Sequence, residues 1–449
     1  MKRWRLYPIY KPSGIEWLGE IPEHWSIKKV KSLAKNKADI TQTGPFGAQL
    51  HASDYMEEGI PLILIKNVNG HKIDPTDIPK ISEEKASELV MYRLKPGDIV
   101  FSRVGTIGRI ALVAEREEGW LISGQMLRLR INSSEITNEF AVYAIDSDSV
   151  LNYFEVKSVG STRDSINTEI LRNLILPLPP LDEQHAIINY LDRETARIDA
   201  LVATKEHFIE LLAEKRIALI SQAVTKGLDP DVPLKDSGVE WLGEIPEHWE
   251  VKRLKHIARI NLNTLTEGTE PDYVIKYIDI GNVGENGLLA EPEKMIFGNA
   301  PSRARRIIKK DNVIISTVRT YLKAIAHFPN PEDNLVCSTG FAVLEPGNLI
   351  IPRFLYYLAH CDKFIETIMA YSVGLGYPAI NTSVFAGFPV WLPTISEQET
   401  IAGYLDRETA KIDSLITKTR ESIEKLKEYR TALVSAAVTG KIDVREEAP

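Results

Sequence analysis

The strongest constraint on this 449-residue chain is that much of it is written twice. The nonapeptide WLGEIPEHW runs from Trp17 to Trp25 and recurs unchanged from Trp241 to Trp249, within the matching contexts SGIEWLGEIPEHWSIKKVKSL and SGVEWLGEIPEHWEVKRLKHI. A second element reads YLDRETARIDALV from Tyr190 and YLDRETAKIDSLI from Tyr404. The first element recurs after 224 residues and the second after 214, so the region between them is 10 residues shorter in the second copy. Such a sequence specifies two copies of one fold, each with a repeated start, a divergent middle and a repeated end. Weak matches persist inside the middles: GDIVFSRVG at Gly97 faces DNVIISTVR at Asp311, and INT at Ile166 recurs at Ile380.

The divergent middles read as mixed α/β domains. IPLILIKNV from Ile60, GDIVFSRVG from Gly97 and WLISGQMLRLRI from Trp120 are rich in β-branched and aromatic residues and predict strands. So do YVIKYIDIGNV from Tyr273, NVIISTV from Asn312 and FAVLEPG from Phe341. NEFAVYAIDSDSVLNYFEV and PRFLYYLAHCDKFIETIMA predict helices, each followed by a Gly-bearing loop, VGSTRD or VGLGYP. Prolines in ILPLPPLDEQ and VWLPTISEQE then close each middle before another helix begins.

That next helix is long. A seven-residue track passes through Leu191, Ile198, Lys205, Leu212 and Leu219, supported by Leu201, Val202, Phe208 and Val224. Its counterpart passes through Leu405, Ile412, Thr419, Leu426 and Leu433, supported by Leu415, Ile416, Ile423 and Val434. Both tracks place a polar residue at the centre, and the pattern predicts two equivalent helices that pack together along a coiled-coil-like seam. Asp182 is the expected N-cap of the first, and Ser396 with Glu399 the expected capping box of the second. A helix over about 182 to 225 would extend roughly 65 Å, the length of a spacer.

Composition excludes several classes. No apolar run reaches eighteen residues, and the opening MKRWRLYPIY lacks the apolar core of a signal peptide, so a cytoplasmic protein with no membrane segment is expected. The two cysteines, Cys337 and Cys361, make neither a disulfide framework nor a metal cluster. Neither GxxxxGK[ST] nor HExxH occurs, and no set of carboxylates stands out, so no catalytic or metal site is expected. A net charge of -8 argues, taken alone, against a nucleic-acid partner, but charge is distributed unevenly. Arg303, Arg305, Arg306, Lys309, Lys310, Arg319 and Lys323 face only Asp311 in their stretch, and Lys28, Lys29, Lys31, Lys35 and Lys37 form a second run without acids. Solvated charged faces would produce the same runs. Two related but divergent domains on a rigid helical spacer suit a duplex, whose half-sites repeat roughly every 34 to 36 Å. A non-catalytic two-domain protein scaffold organised by the same spacer is the alternative.

The chain resembles the specificity subunit of type I restriction-modification enzymes. The resemblance rests on the repeated WLGEIPEHW openings, GPFGAQLHASDYMEEGIP at Gly44, KPGDIVFSRVGTIGR at Lys95, YIDIGNV at Tyr277 and STGFAVLEPG at Ser338. It continues through LPPLDEQHAIINYLDRETARIDALV and LPTISEQETIAGYLDRETAKIDSLI and so covers nearly the whole chain. It implies tandem target-recognition domains at 1–180 and 229–394, a central helical spacer at 181–228 and a C-terminal helical region and tail at 395–449. It further implies that double-stranded DNA is read as an asymmetric bipartite site, with two methyltransferase (modification) subunits and restriction-translocation subunits as partners. The chain itself would bind no cofactor: S-adenosylmethionine would sit on the modification subunits, ATP and Mg on the restriction subunits.

Candidate DNA-facing residues in the first domain are Arg103, Thr106, Arg109 and Arg163; in the second they are Arg303, Arg305, Arg306, Arg319, Tyr321, Lys323 and Tyr377. An arginine can bind guanine bidentately or hold a phosphate, and sequence leaves both open, beside a solvated loop or local ion pair. Tyr377 can meet a base edge or sugar, or pack beneath the Pro378 turn. Leu191, Ile198, Leu212, Leu219, Leu405, Ile412, Leu426 and Leu433 are the expected spacer and partner-docking positions. The repeated Trp17, Trp25, Trp241 and Trp249, with His24 and His248, are expected to be structural, because they stay unchanged where the middles diverge.

Overall fold

The computed structural model describes residues 4–34, 39–104, 108–158, 166–285, 287–374 and 376–447. The chain has a mixed α/β fold with two globular domains linked by long helices. Two compact units share it: residues 1–204 with 421–449, and residues 205–420.

In the first unit a four-stranded antiparallel sheet runs in the order Ile110–Leu112, Ile99–Ser102, Met126–Leu129, Thr41–Thr43. Ile99, Phe101, Leu127 and Leu129 enter the main core, while Val100 and Met126 face a second cluster with Ile63 and Val68. Burial on both faces explains why these strands read as continuous apolar runs rather than alternating ones. Smaller pairings flank the sheet, among them Ser26–Lys29 antiparallel to Ile175–Leu178. The second unit repeats the plan. Its sheet runs Ala258–Ile260, Phe341–Pro346, Asn312–Ser316, Ile325–Phe328, with Val313 and Ile315 on the main-core face and Ile314 on the other. Glu250–Arg253 pairs with Pro389–Leu392 as Ser26–Lys29 does with Ile175–Leu178.

Each apolar helical stretch of the middles is two helices. The first breaks between Asn138–Ile145 and Asp148–Ser158, and the second between Pro352–Ala359 and Asp362–Ala370. At the first break the buried Ser147 turns its hydroxyl back to the Ala144 carbonyl, while its own carbonyl receives the N–H groups of Val150 and Leu151 to start the next helix.

The two long helices span Leu181–Lys226 and Ile395–Val438, 46 and 44 residues. Each contributes to both units. In the first unit Ile187, Leu191 and Ile198 share a core with Leu433, Val434 and Ala437, so the start of one helix lies against the end of the other. In the second unit Ile220, Ala223 and Val224 share a core with Ile401, Ala402 and Leu405, the reciprocal arrangement. Both pairings are antiparallel. The seam of Leu191, Ile198, Leu212, Leu405, Ile412 and Leu433 is buried and Leu219 and Leu426 are partly so, whereas Leu201, Phe208 and Leu415, expected to support it, are exposed.

Both helix starts also differ from expectation. The first begins at Leu181, where the Pro180 carbonyl receives the N–H groups of Glu183 and Gln184; Asp182 lies inside the first turn and complements the helix dipole instead of capping. The second begins at Ile395, and Thr394 Oγ1 accepts the Glu397 N–H at 3.3 Å, which places Ser396 within the helix.

Candidate nucleic-acid interface

The repeated motifs form a frame that holds each domain to its long helix. His24 Nε2 lies 2.8 Å from Glu183 Oε2, and His248 Nε2 lies 2.9 Å from Glu397 Oε2. The adjoining Trp25 and Trp249 are fully buried, and Trp17 and Trp241 pack against the same two cores, as a structural role requires. One residue further along each helix, fully buried glutamines tie the helix to the domain. Gln184 Oε1 accepts the Thr137 N–H, and its amide donates to Glu135 and Pro179 carbonyls at 2.8 and 3.0 Å. Gln398 does the same with the Ile351 N–H and the Leu349 and Pro393 carbonyls.

The carboxylates of YLDRETA belong to this frame. The Tyr143 hydroxyl donates to Asp192 and that of Tyr357 to Asp406, both at 2.6 Å. Burial first, and then the neighbouring carboxylate, push both phenol pKa values upward, so each hydroxyl keeps the proton it donates. Two turns further on, Arg430 Nε meets Asp199 at 2.9 Å and Arg216 Nε meets Asp413 at 3.2 Å, each joining the two long helices within one unit. Sequence reasoning left the glutamines and both arginines unremarked, although Arg216 and Arg430 stand 214 residues apart, the spacing of YLDRETA itself.

The candidate DNA-facing residues differ sharply in their surroundings. Arg303 donates to Asp279 at 2.6 Å and to the Tyr277 hydroxyl at 3.3 Å, bonds that raise its pKa further. Lys323 is paired with Glu285 at 3.4 Å. Arg305 lies over Phe297 at 4.6 Å and bonds the Ser302 carbonyl, with Nη1 buried; Arg306 is half-buried, and that burial lowers its pKa. Tyr321 is exposed. Arg109 reaches the Ile65 carbonyl and lines a cleft of about 450 Å³ with His71, Asp146, Asp199 and Arg430. Thr106 and Arg163, with Lys35 and Lys37, lie outside the described residues.

Two arginines stand apart. The Arg103 guanidinium lies 5.0 Å from the centre of the Phe46 ring, and that of Arg319 lies 4.5 Å from the centre of the Tyr377 ring. Tyr377 is exposed and stacked rather than tucked beneath the Pro378 turn. Among the described residues no three His, Cys, Asp or Glu side chains are grouped to hold a metal ion. No helix of the described residues is long and apolar enough to cross a membrane.

Residues 22–211 and 246–425 match the family model described as the type I restriction modification DNA specificity domain, once per repeat. The chain belongs to this family. As a specificity subunit it has relatives along almost its whole length. A Methanocaldococcus jannaschii chain assigned as the MjaX type I restriction enzyme specificity subunit is 26% identical over 98% of this chain and 99% of its own. The StySPI specificity subunit of Salmonella potsdam is 20% identical over 94% of this chain and 90% of its own. Two solved structures share the fold. One, from work on complex assembly and conformational transition of the type I R-M system, aligns with a TM-score of 0.63 at 19% identity, covering 93% of this chain and 98% of the other. The HsdS subunit from Thermoanaerobacter tengcongensis aligns with a TM-score of 0.51 at 18% identity, covering 94% and 98%. The family places this chain among non-catalytic DNA-specificity subunits.

Proposed function

We propose that this specificity subunit reads an asymmetric bipartite duplex site, one half with each recognition domain. In that assembly it positions two modification subunits for adenine methylation and restriction subunits for cleavage. The recognition domains are taken as 1–180 and 229–394, with helical regions at 181–228 and 395–449. The carrying observation is the contrast between frame and loops. His–Glu, Gln–carbonyl, Tyr–Asp and Arg–Asp contacts recur in both units, while the residues that could face DNA differ between them. A frame kept constant under two different reading surfaces supports one geometry applied to two different half-sites.

On this reading Arg103, Thr106, Arg109 and Arg163 serve the first half-site, and Arg303, Arg305, Arg306, Arg319, Tyr321, Lys323 and Tyr377 the second. S-adenosylmethionine belongs to the modification subunits and ATP with Mg to the restriction subunits; the assembly works in the cytoplasm. Because the seam leucines pack within the chain, the outward apolar residues of the long helices are the better docking positions: Leu201 and Tyr429 in one unit, Phe208, Leu211 and Leu415 in the other. The test is sequencing of methylated adenines after co-expression with the modification subunit of the same system. A reproducible two-part motif with a fixed gap is the expected result. Its absence from a folded, stable complex would overturn the reading in favour of a protein scaffold.

A further inference from the structure

We infer that each recognition domain reads a guanine in the major groove with one arginine laid on an exposed aromatic ring: Arg103 on Phe46 in the first, Arg319 on Tyr377 in the second. This deepens the function proposed above and rests on it.

Direct readout of guanine needs both edge donors of a guanidinium aimed together at O6 and N7, so an arginine already held in one orientation loses less freedom on binding. Stacking on an aromatic face supplies that orientation without consuming the donors. The rings here are 50% and 64% exposed, so each platform lies at the surface. Neither guanidinium has a carboxylate within ion-pairing distance among the described residues, in contrast to Arg303 with Asp279 and Lys323 with Glu285. Arg103 Nε and Arg305 Nη1 are both buried without a hydrogen-bond partner, and the stack of Arg305 on Phe297 differs in that Phe297 packs against a small core of its own domain.

Both platforms are rigidly built, by different means. In the first domain the backbone N–H of Arg103 donates to the Gln125 carbonyl, and that of Gly44 to the Met126 carbonyl. A Cβ at Gly44 would lie 2.0 Å from the Ser123 carbonyl oxygen, and one at Gly124 would lie 2.4 Å from that of Pro45. The loop carrying Phe46 and the strand end carrying Arg103 are thus pressed onto the same turn at 123–126, an approach only glycine permits. In the second domain the N–H of Arg319 donates at 2.8 Å to the carbonyl of Pro378, the residue after Tyr377. Arg319 has φ 53° and Lys323 φ 48°, left-handed conformations that bracket the single turn Thr320–Leu322. Non-glycine residues held there store strain, as do His71, Asp77, Asn261, Asp311 and Asn334 elsewhere in the chain, and the bonds around Arg319 hold it in place.

The overlay explains why the repeat hides this. Ile166 N–H donates to the Arg103 carbonyl as Ile380 N–H does to that of Thr317, so Arg103 corresponds to Thr317 and Arg319 lies two residues beyond. The same device is mounted at different positions, as two domains reading different half-sites require.

The experiment is methylated-adenine sequencing of the co-expressed complex for the parent, Arg103→Gln, Arg319→Gln, Phe46→Leu and Tyr377→Leu, each checked for assembly with the modification subunit. Arg319→Gln is expected to relax or change one guanine of the second half-site, with roughly 5- to 150-fold loss at that base, leaving the first half-site intact. Arg103→Gln should do the converse. Phe46→Leu and Tyr377→Leu should each relax the base assigned to their arginine without removing a charge. If the parent yields a two-part motif and an assembled arginine variant keeps it unchanged, or loses methylation evenly at every site, that arginine holds phosphate or nothing and the inference fails alone. If a variant fails to assemble, Arg319→Lys or Arg103→Lys, which keeps the charge but not the fork, must show the same single-base relaxation, or the inference fails. A parent complex without a two-part motif overturns the underlying function instead.

Discussion

Replacing Gln398 with methionine preserves volume while removing the amide that ties the second long helix to its domain. Gln398 is fully buried and makes three bonds: Oε1 accepts the Ile351 N–H at 2.9 Å, and Nε2 donates to the Leu349 and Pro393 carbonyls, each at 3.0 Å. The stranded Ile351 N–H costs about 1–3 kcal/mol, and each carbonyl that loses its donor adds about 0.5–1 kcal/mol, for a sum of about 3 kcal/mol. In a unit of this size 1 kcal/mol corresponds to roughly 2–4 °C, so its melting transition should fall by roughly 6–12 °C. Calorimetry reads the transition, and amide hydrogen exchange resolves which unit has loosened. Gln184→Met should produce the same loss in the other unit, since its bonds to Thr137, Glu135 and Pro179 are the same set. The reasoning is refuted if either variant loses less than about 1 kcal/mol, or if Gln398→Met speeds exchange equally in both units.

Three further outcomes follow from the geometry. His327 has both ring nitrogens buried without a hydrogen-bond partner, and burial, followed by the Arg353 charge, holds its pKa below the ordinary value despite Asp311 at 3.8 Å. A lowered folded pKa gives stability that is complete above about pH 6.5 and lost as pH falls through the folded value, so His327→Phe should lose less stability than the parent between pH 7.5 and 5 in paired melting curves. A double-mutant cycle on Arg216 and Asp413 should return a coupling of about 0.5–1.5 kcal/mol, modest because Asp413 is half-exposed, and a coupling of zero would remove the pair from the frame. Deleting one matched heptad from both long helices should change the preferred gap between half-sites or abolish assembly. An unchanged methylation motif from a cleanly assembled shortened chain would discard the helices as a ruler.

The frame was largely legible because it is repeated: WLGEIPEHW marks the histidines that meet Glu183 and Glu397 at the helix starts and the buried tryptophans beside them, and YLDRETA the aspartates that accept from Tyr143 and Tyr357 further along. The second helix start was misplaced because two overlapping Ser/Thr-x-x-Glu boxes compete, Thr394 with Glu397 and Ser396 with Glu399. The first turn closes on Thr394, whose carbonyl receives the Gln398 N–H at 2.9 Å while its hydroxyl receives that of Glu397, so the earlier box prevails. Leu201, Phe208 and Leu415 are hydrophobic beside the seam yet face outward, because helical spacing assigns a residue to a face without saying what covers that face. The division into units was illegible for a different reason. Each long helix is one continuous signal in sequence, yet its two halves are buried in different cores. Likewise nothing near Arg103 names Phe46, 57 residues earlier; the glycines that bring them together act through close backbone contact, which leaves no periodic trace.

The acidic total and the DNA-reading role are reconciled by what the cations are doing. Phosphate affinity scales with the number of charges that displace counterions, and several basic residues outside the proposed reading surface are spent internally: Arg216 on Asp413, Arg430 on Asp199 and Arg353 on Asp406. Base discrimination makes no such demand, because one oriented guanidinium per half-site distinguishes guanine from the other bases whatever the total charge. If Arg103 and Arg319 are those residues, specificity and affinity reside in different subunits of the complex. The isolated chain should then bind duplex weakly and with a shallow dependence on salt, and a steep salt dependence measured on the isolated chain would refute that division of labour.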